Sequence, residues 1–335
     1  MTAKPLIALA MGDPAGISPE LTAKLVSLDE IRARARLVVI GDRRVFEAGA
    51  KIARVTPDLT AVEQGADFDE LTDDALFLDL GHLDPARVER GVASLAGGQF
   101  ALANYRRALE FGRDGRVDAV CFTPFNKAAM RLARADYDDE IAFSAEVAGL
   151  KTPASEFNVL GELWNARVTS HIPLRDVAAK LSGERIRRAL MLTDACMRKA
   201  GFARPRIAVA GLNPHAGDGG NFGREEIDVI APVVEAGKRE GMAVEGPFPA
   251  DTVFLRAKAG AFDAVLTMYH DQGQIAMKLM GFDRGVTLLG GFPFPICTPA
   301  HGTAYDIAGQ GIASVGASRT AVLLAADMAA RRAAW

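Results

Sequence analysis

The chain has little cysteine. Cys121, Cys196 and Cys297 are odd in number, far apart and free of any CxxC pair. Such a set implies no disulfide framework and suits a reducing cytoplasm. Neither sign of charge dominates: 39 Lys and Arg stand against 42 Asp and Glu, a net charge of −3, with a pI near 6.0. That balance argues against a nucleic-acid or membrane-surface partner. The short basic runs, RARAR at 32–36 and RRAA at 331–334, read as solvated helix faces. No apolar run approaches bilayer length. The opening MTAKPLIALAMGDP has a short apolar stretch, one lysine and no small-residue cleavage site. Its halt at Gly12-Asp13-Pro14 reads as the end of a buried strand, not a signal peptide. There is no internal repeat, low-complexity tract or long linker. The usual nucleotide fingerprints are missing too, with neither GxGxxG after the first strand nor GxxxxGK[ST]. The nearest stretch, Gly309-Gln-Gly311-Ile-Ala-Ser314, lacks the last glycine.

What remains is an ordinary globular composition. The 335 residues are 49% hydrophobic and 24% charged, with mean hydropathy +0.10, enough for one large domain or two smaller ones. Short apolar runs alternate with amphipathic segments. Strands are expected at 6–10, 37–40, 76–80, 119–122, 167–170, 206–210, 243–245, 264–268 and 285–289. Helices are expected at 19–26, 98–111, 141–148, 183–199, 224–239, 274–279 and 317–330. Unalternated apolar runs imply strands buried on both faces, hence a helix-flanked, largely parallel α/β sheet.

Only five histidines are present, and three lie in glycine- or proline-marked loops: His171 in TSHIPL, His215 in GLNPHAGDGGNFGREE, His270 in MYHDQGQIAMK. None forms a helical i, i+4 pair, so the fold must gather them if they act together. Three neutral imidazoles with open coordination positions make a catalytic divalent-metal site. Three unrelated turn histidines are the alternative. Two follow expected strands directly and the third follows after a short turn, and open α/β folds bind ligands at strand carboxyl ends.

Other residues suggest roles beside them. The glycine-rich loop from His215 to Gly223 leads into a helix whose N-terminus favours an anion; otherwise it is a flexible turn with Asn221 as helix cap. If Asp271 begins a helix, Lys278 lies about two turns on, either as a base or oxyanion ligand or as a surface lysine. Asp251 follows a strand and reads as a helix cap, with a second role near the metal as the alternative. Lys127 starts a helix, where a cation is unfavourable, which suggests an anionic ligand. Asp13 reads as a turn residue, and Trp164, Tyr269 and the methionines at 277–280 read as packing. His301-Gly302-Thr303-Ala304, followed by Asp306, offers backbone donors and a planar ring to a nucleotide, or is a packing turn.

The ordered series MGDPAG, TSHIPL, GLNPHAGDGGNFGREE, GPFPADTVF, YHDQGQIAMK and HGTAYDIAGQG resembles the 4-hydroxythreonine-4-phosphate dehydrogenase family of pyridoxine biosynthesis. The likeness runs from Gly12 to about Ala313. That family is distantly similar to isocitrate and isopropylmalate dehydrogenases, which share the HGTA-type segment as an adenosine loop. The resemblance implies a two-lobed α/β/α subunit in a homodimer, with an active site near the subunit interface. The lobes are expected at 1–125 plus 296–335, on the cofactor side, and 126–295, for metal, substrate and dimerisation. The implied metal ligands are His171, His215 and His270, one of them from the partner subunit, and the implied substrate lysine is Lys278. The implied reaction is NAD- or NADP-dependent oxidation of a secondary alcohol β to a carboxylate, after which the β-keto acid loses carbon dioxide. Lys278, Asp251 and Asp271 are the expected catalytic groups. His301, Gly302, Thr303, Ala304 and Asp306 are expected to hold the dinucleotide. Three imidazoles favour zinc, cobalt or nickel over magnesium or manganese.

The chain departs from that family where substrate is bound. The family's Gly-His-Thr-Glu becomes Asp139-Glu140-Ile141-Ala142, its substrate asparagine falls on Thr287, its arginine on Ile296, and its acidic residue before HGT on Ala300. Lys127 and Asn213 complete the expected substrate set with Lys278. Loss of a histidine and an arginine removes two groups suited to phosphate, and Glu140 repels it. The expected substrates are a phosphorylated four-carbon sugar acid or an aromatic cis-dihydrodiol carboxylate, with a lean to an unphosphorylated one. A zinc hydrolase and a non-catalytic metabolite sensor are the rival classes.

Overall fold

The computed structural model describes residues 4–331. It divides into two compact units, one running to Pro153 and resuming at Val286, the other being Ala154–Gly285. In chain order the first opens with β1 (Leu6–Ala10), α1 (Ser18–Val26), α2 (Asp29–Arg34), β2 (Arg36–Gly41), α3 (Arg43–Ala53), β3 (Thr60–Val62) and β4 (Ala75–Asp79). It continues with α4 (Leu95–Arg113), β5 (Ala119–Phe122), α5 (Lys127–Ala133) and α6 (Glu140–Ala148). The second unit holds β6 (Ser155–Leu160), β7 (Leu163–Arg167), α7 (Val177–Lys180), α8 (Gly183–Lys199), β8 (Arg206–Ala210), α9 (Ala231–Arg239), β9 (Ala243–Phe248), α10 (Ala250–Lys258), β10 (Ala264–Thr267) and α11 (His270–Gly281). The first unit then closes with β11 (Val286–Gly290), β12 (Ile296–Pro299) and α12 (Gly316–Ala330).

Strand order in the first unit is β3-β4-β2-β1-β5-β12-β11. All neighbours are parallel except the β11–β12 hairpin. Every residue of β1 and β5 is buried, as expected for strands covered on both faces. Helices α1 and α3 meet closely because Gly49 lies against the backbone of Pro19, where a Cβ would come within 2.3 Å. In the second unit the order is β6-β7-β10-β8-β9, with only β6–β7 antiparallel. The architecture is α/β with largely parallel pairing, as the sequence implied.

Several expectations need correction. The strand expected at 167–170 ends at Arg167 and begins at Leu163. Polar Asn165 and Arg167, both buried, hid it. The helix expected at 224–239 opens with a π-helical turn, Glu226–Ile230, before α9; such turns favour functional sites. Asn221 does not cap it: the N-cap is Glu225, with no side-chain cap bond, and the Asn221 amide donates to Asp218 instead. The units divide at 153/154 and 285/286 instead of 125/126 and 295/296. Helices α5 and α6 pack on α4, and β11 pairs with β12, so both stretches join the first unit. All three cysteines are buried: Cys121 and Cys297 stand opposite each other on β5 and β12, and Cys196 lies in α8. Among the described residues no helix is long and apolar enough to cross a membrane.

Candidate active site

In the second unit, the segments leaving β7, β8 and β10 carry the three histidines. Val168 and Thr169 continue the pairing past β7, their N–H groups donating to Thr267 and Met268 carbonyls at 2.9 and 3.1 Å. The Thr169 hydroxyl also donates to Met268 O at 2.7 Å. This stitching brings His171 to His270, the first residue of α11, with ring centroids 5.6 Å apart. Both rings line a hollow of about 380 Å³ with Ser170, Tyr269 and Asp271. His270 Nδ1 donates to Asp271 Oδ1 at 2.7 Å, which fixes the tautomer and leaves Nε2 to a ligand. His171 has φ +47, a left-handed conformation that a non-glycine residue adopts only under constraint.

His215 sits in the loop after β8, where residues 215–219 all have positive φ. Glu226, buried in the π turn, anchors this loop. Its Oε1 accepts from Leu212 and Asn213 N–H at 2.7 Å each, and Oε2 accepts from Asn213 Nδ2 at 3.0 Å. His215 lines a second hollow of about 680 Å³ with Asn213, Asp251, Gln272, Ile275 and Leu279. Tyr269 and Asp271 line both hollows. The structure thus pairs His171 with His270 and Asp271, and sets His215 across Tyr269 and Asp271. Among the described residues no three His, Cys, Asp or Glu side chains group to hold a metal ion. The donor chemistry still fits one: two adjacent imidazoles, one oriented by a carboxylate, with a third on the neighbouring wall.

The other expected residues of this unit fall nearby. Lys278 is exposed on α11, seven residues beyond Asp271 and on nearly the same face as it. Asp251 is in the first turn of α10, but the N-cap is Pro249 and no side chain caps the helix. The expected cap is therefore corrected, and its carboxylate faces the larger hollow. Asn213 spends its Nδ2 on Glu225 and Glu226, so that donor is taken. Tyr269, expected in packing, lines both hollows.

In the first unit, Lys127 begins α5 behind an Asn126 cap, and Glu140 begins α6 behind an Asp139 cap. Lys127 Nζ lies 3.4 Å from Glu140 Oε2, with the Glu140 side chain 14% exposed. Ile141 is half-buried one residue on, and Thr287 is half-buried on β11. Ile296 is fully buried between β5 and β11. It is a core residue here, because an apolar β-branched side chain in a central strand packs inward.

The His301 segment is strapped to α1. Ile17 N donates to Thr303 O at 3.0 Å. Glu20 accepts from Gly311 and Ala313 N–H, and Lys24 donates to the carbonyls of the same two residues. His301 Nδ1 donates to Gly302 O, Ala304 has φ +43, and Asp306 is exposed. Tyr305 donates its hydroxyl to Asp13. Burial pushes the Asp13 carboxyl above its ordinary value, against the lowering effect of Tyr305 and the Ala15 N–H. Asp13 is thus a buried clamp as well as a turn residue. Glu226, Gln272, Glu20 and Lys24 carry no sequence signal of their own, apart from the i, i+4 spacing of the last two.

Comparison with known proteins identifies the family. Residues 33–325 match the family described as pyridoxal phosphate biosynthetic protein PdxA. A Rhizobium meliloti (strain 1021) protein provisionally named 4-hydroxythreonine-4-phosphate dehydrogenase 2 is 62% identical, over 98% of this chain and 94% of its own length. A Cupriavidus necator protein named D-threonate 4-phosphate dehydrogenase is 39% identical over 98% of both. The crystal structure of 4-hydroxythreonine-4-phosphate dehydrogenase from Klebsiella pneumoniae superposes with a TM-score of 0.82 at 35% identity, covering 97% of this chain and all 100% of that one. With its order of strands, its histidine-bearing loops and these relatives along nearly its whole length, the chain belongs to the PdxA family of pyridoxal phosphate biosynthetic proteins.

Proposed function

We propose that this chain is a dehydrogenase that uses a divalent metal and NAD or NADP. It oxidises a secondary alcohol β to a carboxylate, and the β-keto acid so formed then loses carbon dioxide. The observation that carries the reading is the His171–His270 pair, oriented by Asp271. When bound, the metal supplies Lewis acidity toward the alcohol oxygen and the nicotinamide accepts the hydride. His171, His270 and His215 would hold the metal, and Asp271 keeps the His270 Nε2 lone pair available. Lys278, an exposed ammonium beyond His270, binds the carboxylate or relays the hydroxyl proton at Nζ. Asp251 faces the His215 hollow as a second proton acceptor. The segment from His301 to Asp306 holds the adenosine end, with the Asp306 carboxylate suited to ribose hydroxyls.

A second copy of the chain completes the site in this reading. Ile275 and Leu279 line the His215 hollow and are 61% and 84% exposed. Phe222, 52% exposed, stands beside the His215 ring. An apolar patch of this kind calls for a covering partner, and a third imidazole from the second copy fits beside the His171–His270 pair.

The substrate differs from 4-hydroxythreonine 4-phosphate in this reading. Glu140 pairs with Lys127 and offsets its charge, where the resemblance places the family's substrate-binding His-Thr pair. A four-carbon sugar acid of the threonate or erythronate type is the favoured class. The test is nicotinamide reduction by the zinc- or cobalt-loaded protein. The panel holds threonate and erythronate with and without a 4-phosphate, 4-hydroxythreonine 4-phosphate, and an aromatic cis-dihydrodiol carboxylate. Turnover of a sugar acid supports the reading. In Glu140→Gln, removal of about 1–2 kcal/mol of charge repulsion raises the preference for the phosphorylated form roughly tenfold. Best turnover of 4-hydroxythreonine 4-phosphate by the unaltered protein overturns the substrate assignment. Hydrolysis without nicotinamide overturns the reaction class.

A further inference from the structure

The side-chain amide of Gln272 is divided between two loops. Its Oε1 accepts the Met268 N–H at 2.7 Å, just ahead of His270. Its Nε2 donates to the Gly211 carbonyl at 2.7 Å, where the His215 loop leaves β8. From Gly211 the next two N–H groups pass directly to Glu226 Oε1. Gly211 itself is tightly packed against Glu226 and Ala216, since a Cβ would lie 3.0 Å from each. A continuous set of bonds therefore runs from Met268 through Gln272, Gly211, Leu212 and Asn213 to Glu226. It ties the turn that presents His270 to the loop that presents His215. No residue in it is a candidate ligand.

We infer that Gln272 is a positioning residue: its amide sets the spacing between the His270 turn and the His215 loop, and metal affinity depends on it. This rests on the metal reading above. The left-handed backbone from His215 to Gly219 has no helix or strand to hold its place, so its orientation comes from its anchors. Glu226 fixes the loop to the π turn, and Gln272 fixes the loop's root to α11. Whether His215 completes its own chain's site or that of a second copy, the amide orders two ligand-bearing segments. Groups that orient metal ligands are typically worth 10–100-fold in affinity.

The test uses the full chain, with zinc affinity from competition against a chromophoric chelator and ligand geometry from the visible bands of bound cobalt. Gln272→Met keeps the length and loses both bonds. Gln272→Glu keeps the acceptor for Met268 but sets a carboxylate against the Gly211 carbonyl. Phe262→Leu, in the core beneath α10, loosens the same unit without touching these bonds. The expected result is a 10–100-fold fall in zinc affinity and altered cobalt bands in Gln272→Met, an equal or larger fall in Gln272→Glu, and unchanged affinity in Phe262→Leu. Affinity within twofold of the unaltered protein in Gln272→Met, with the same bands, overturns the assignment alone. An equal loss in Phe262→Leu also overturns it, since stability would then be the cause. Unaltered protein that takes up neither metal overturns the metal reading and this inference together.

Discussion

Replacing Gly273 by alanine sets two effects against each other. Gly273 lies inside α11, where alanine ordinarily gains about 1 kcal/mol of helix propensity. The structure reverses that sign. A Cβ at 273 would lie 2.2 Å from Asn165 Oδ1 and 2.5 Å from both Cγ and Nδ2. Asn165 is fully buried in β7 and cannot swing away. Its Nδ2 donates to Ala166 O, Val265 O and Thr267 Oγ1 at 3.1, 3.0 and 3.3 Å. Relief requires a shift of about 1 Å by the helix or by the amide. Overpacking costs about 1–3 kcal/mol, and weakened buried hydrogen bonds add about 1–3 kcal/mol. After the propensity gain, the net loss is about 1–5 kcal/mol. At about 2–4 °C per kcal/mol, the unfolding midpoint falls by about 2–20 °C. Urea denaturation and calorimetry measure both quantities. Because the clash displaces α11 itself, whose first residue is His270, the proposed metal affinity should fall as well. In an Asn165→Ala background the same Gly273→Ala change costs under about 1 kcal/mol, as the obstructing amide is gone. If Gly273→Ala matches or exceeds the parent in stability, close packing is not what requires glycine there.

Two further outcomes follow from surface and charge. Burial acts to raise the Asp42 pKa, but the Arg44 side chain and the Leu83 and Arg44 N–H groups outweigh it and hold the carboxyl below its ordinary value. A carboxyl depressed in the folded state lends stability above the unfolded value near 3.9 and loses it as pH falls through the folded value. Asp42→Asn should therefore flatten stability against pH below about pH 4; an unchanged acid limb in denaturation midpoints would refute the role. Leu279→Glu places a charge at a residue 84% exposed, so sedimentation should show weakened self-association with the unfolding cooperativity kept. A dimer of unchanged affinity would remove this face from the interface.

Much of this fold is legible in the sequence, for reasons that can be named. β1, β5 and β8 are uninterrupted apolar runs ended by turn residues, and burial on both faces leaves no other reading. β7 is not legible, because Asn165 and Arg167 sit inside it as buried polar groups whose partners come from the neighbouring strands β6 and β10. Arg167 meets Asn158 and Glu156, and Asn165 meets Val265. α3 was missed although Asp42 caps it, since Gly49 breaks its apolar pattern for the sake of contact with Pro19. β12 is bracketed by Pro295 and Pro299, a composition that reads as loop. The histidines were visible as loop residues at strand ends, and the pairing of His171 with His270 follows from that placement. Glu226 and Gln272 were not visible, because their part depends on which backbone groups the fold leaves beside them.

The buried cysteines give each unit its own clock. Cys121 and Cys297 belong to the first unit and Cys196 to the second, and none is presented to solvent. Burial also pushes the Cys121 and Cys297 thiols well above their ordinary range, so these two offer almost no thiolate in the folded protein. A thiol reagent can then react only through transient opening, and its rate reports the free energy of that opening. Peptide mass resolves the three positions in one experiment. The natural sequence thus carries a built-in means of timing the two units separately, under the conditions in which the protein works.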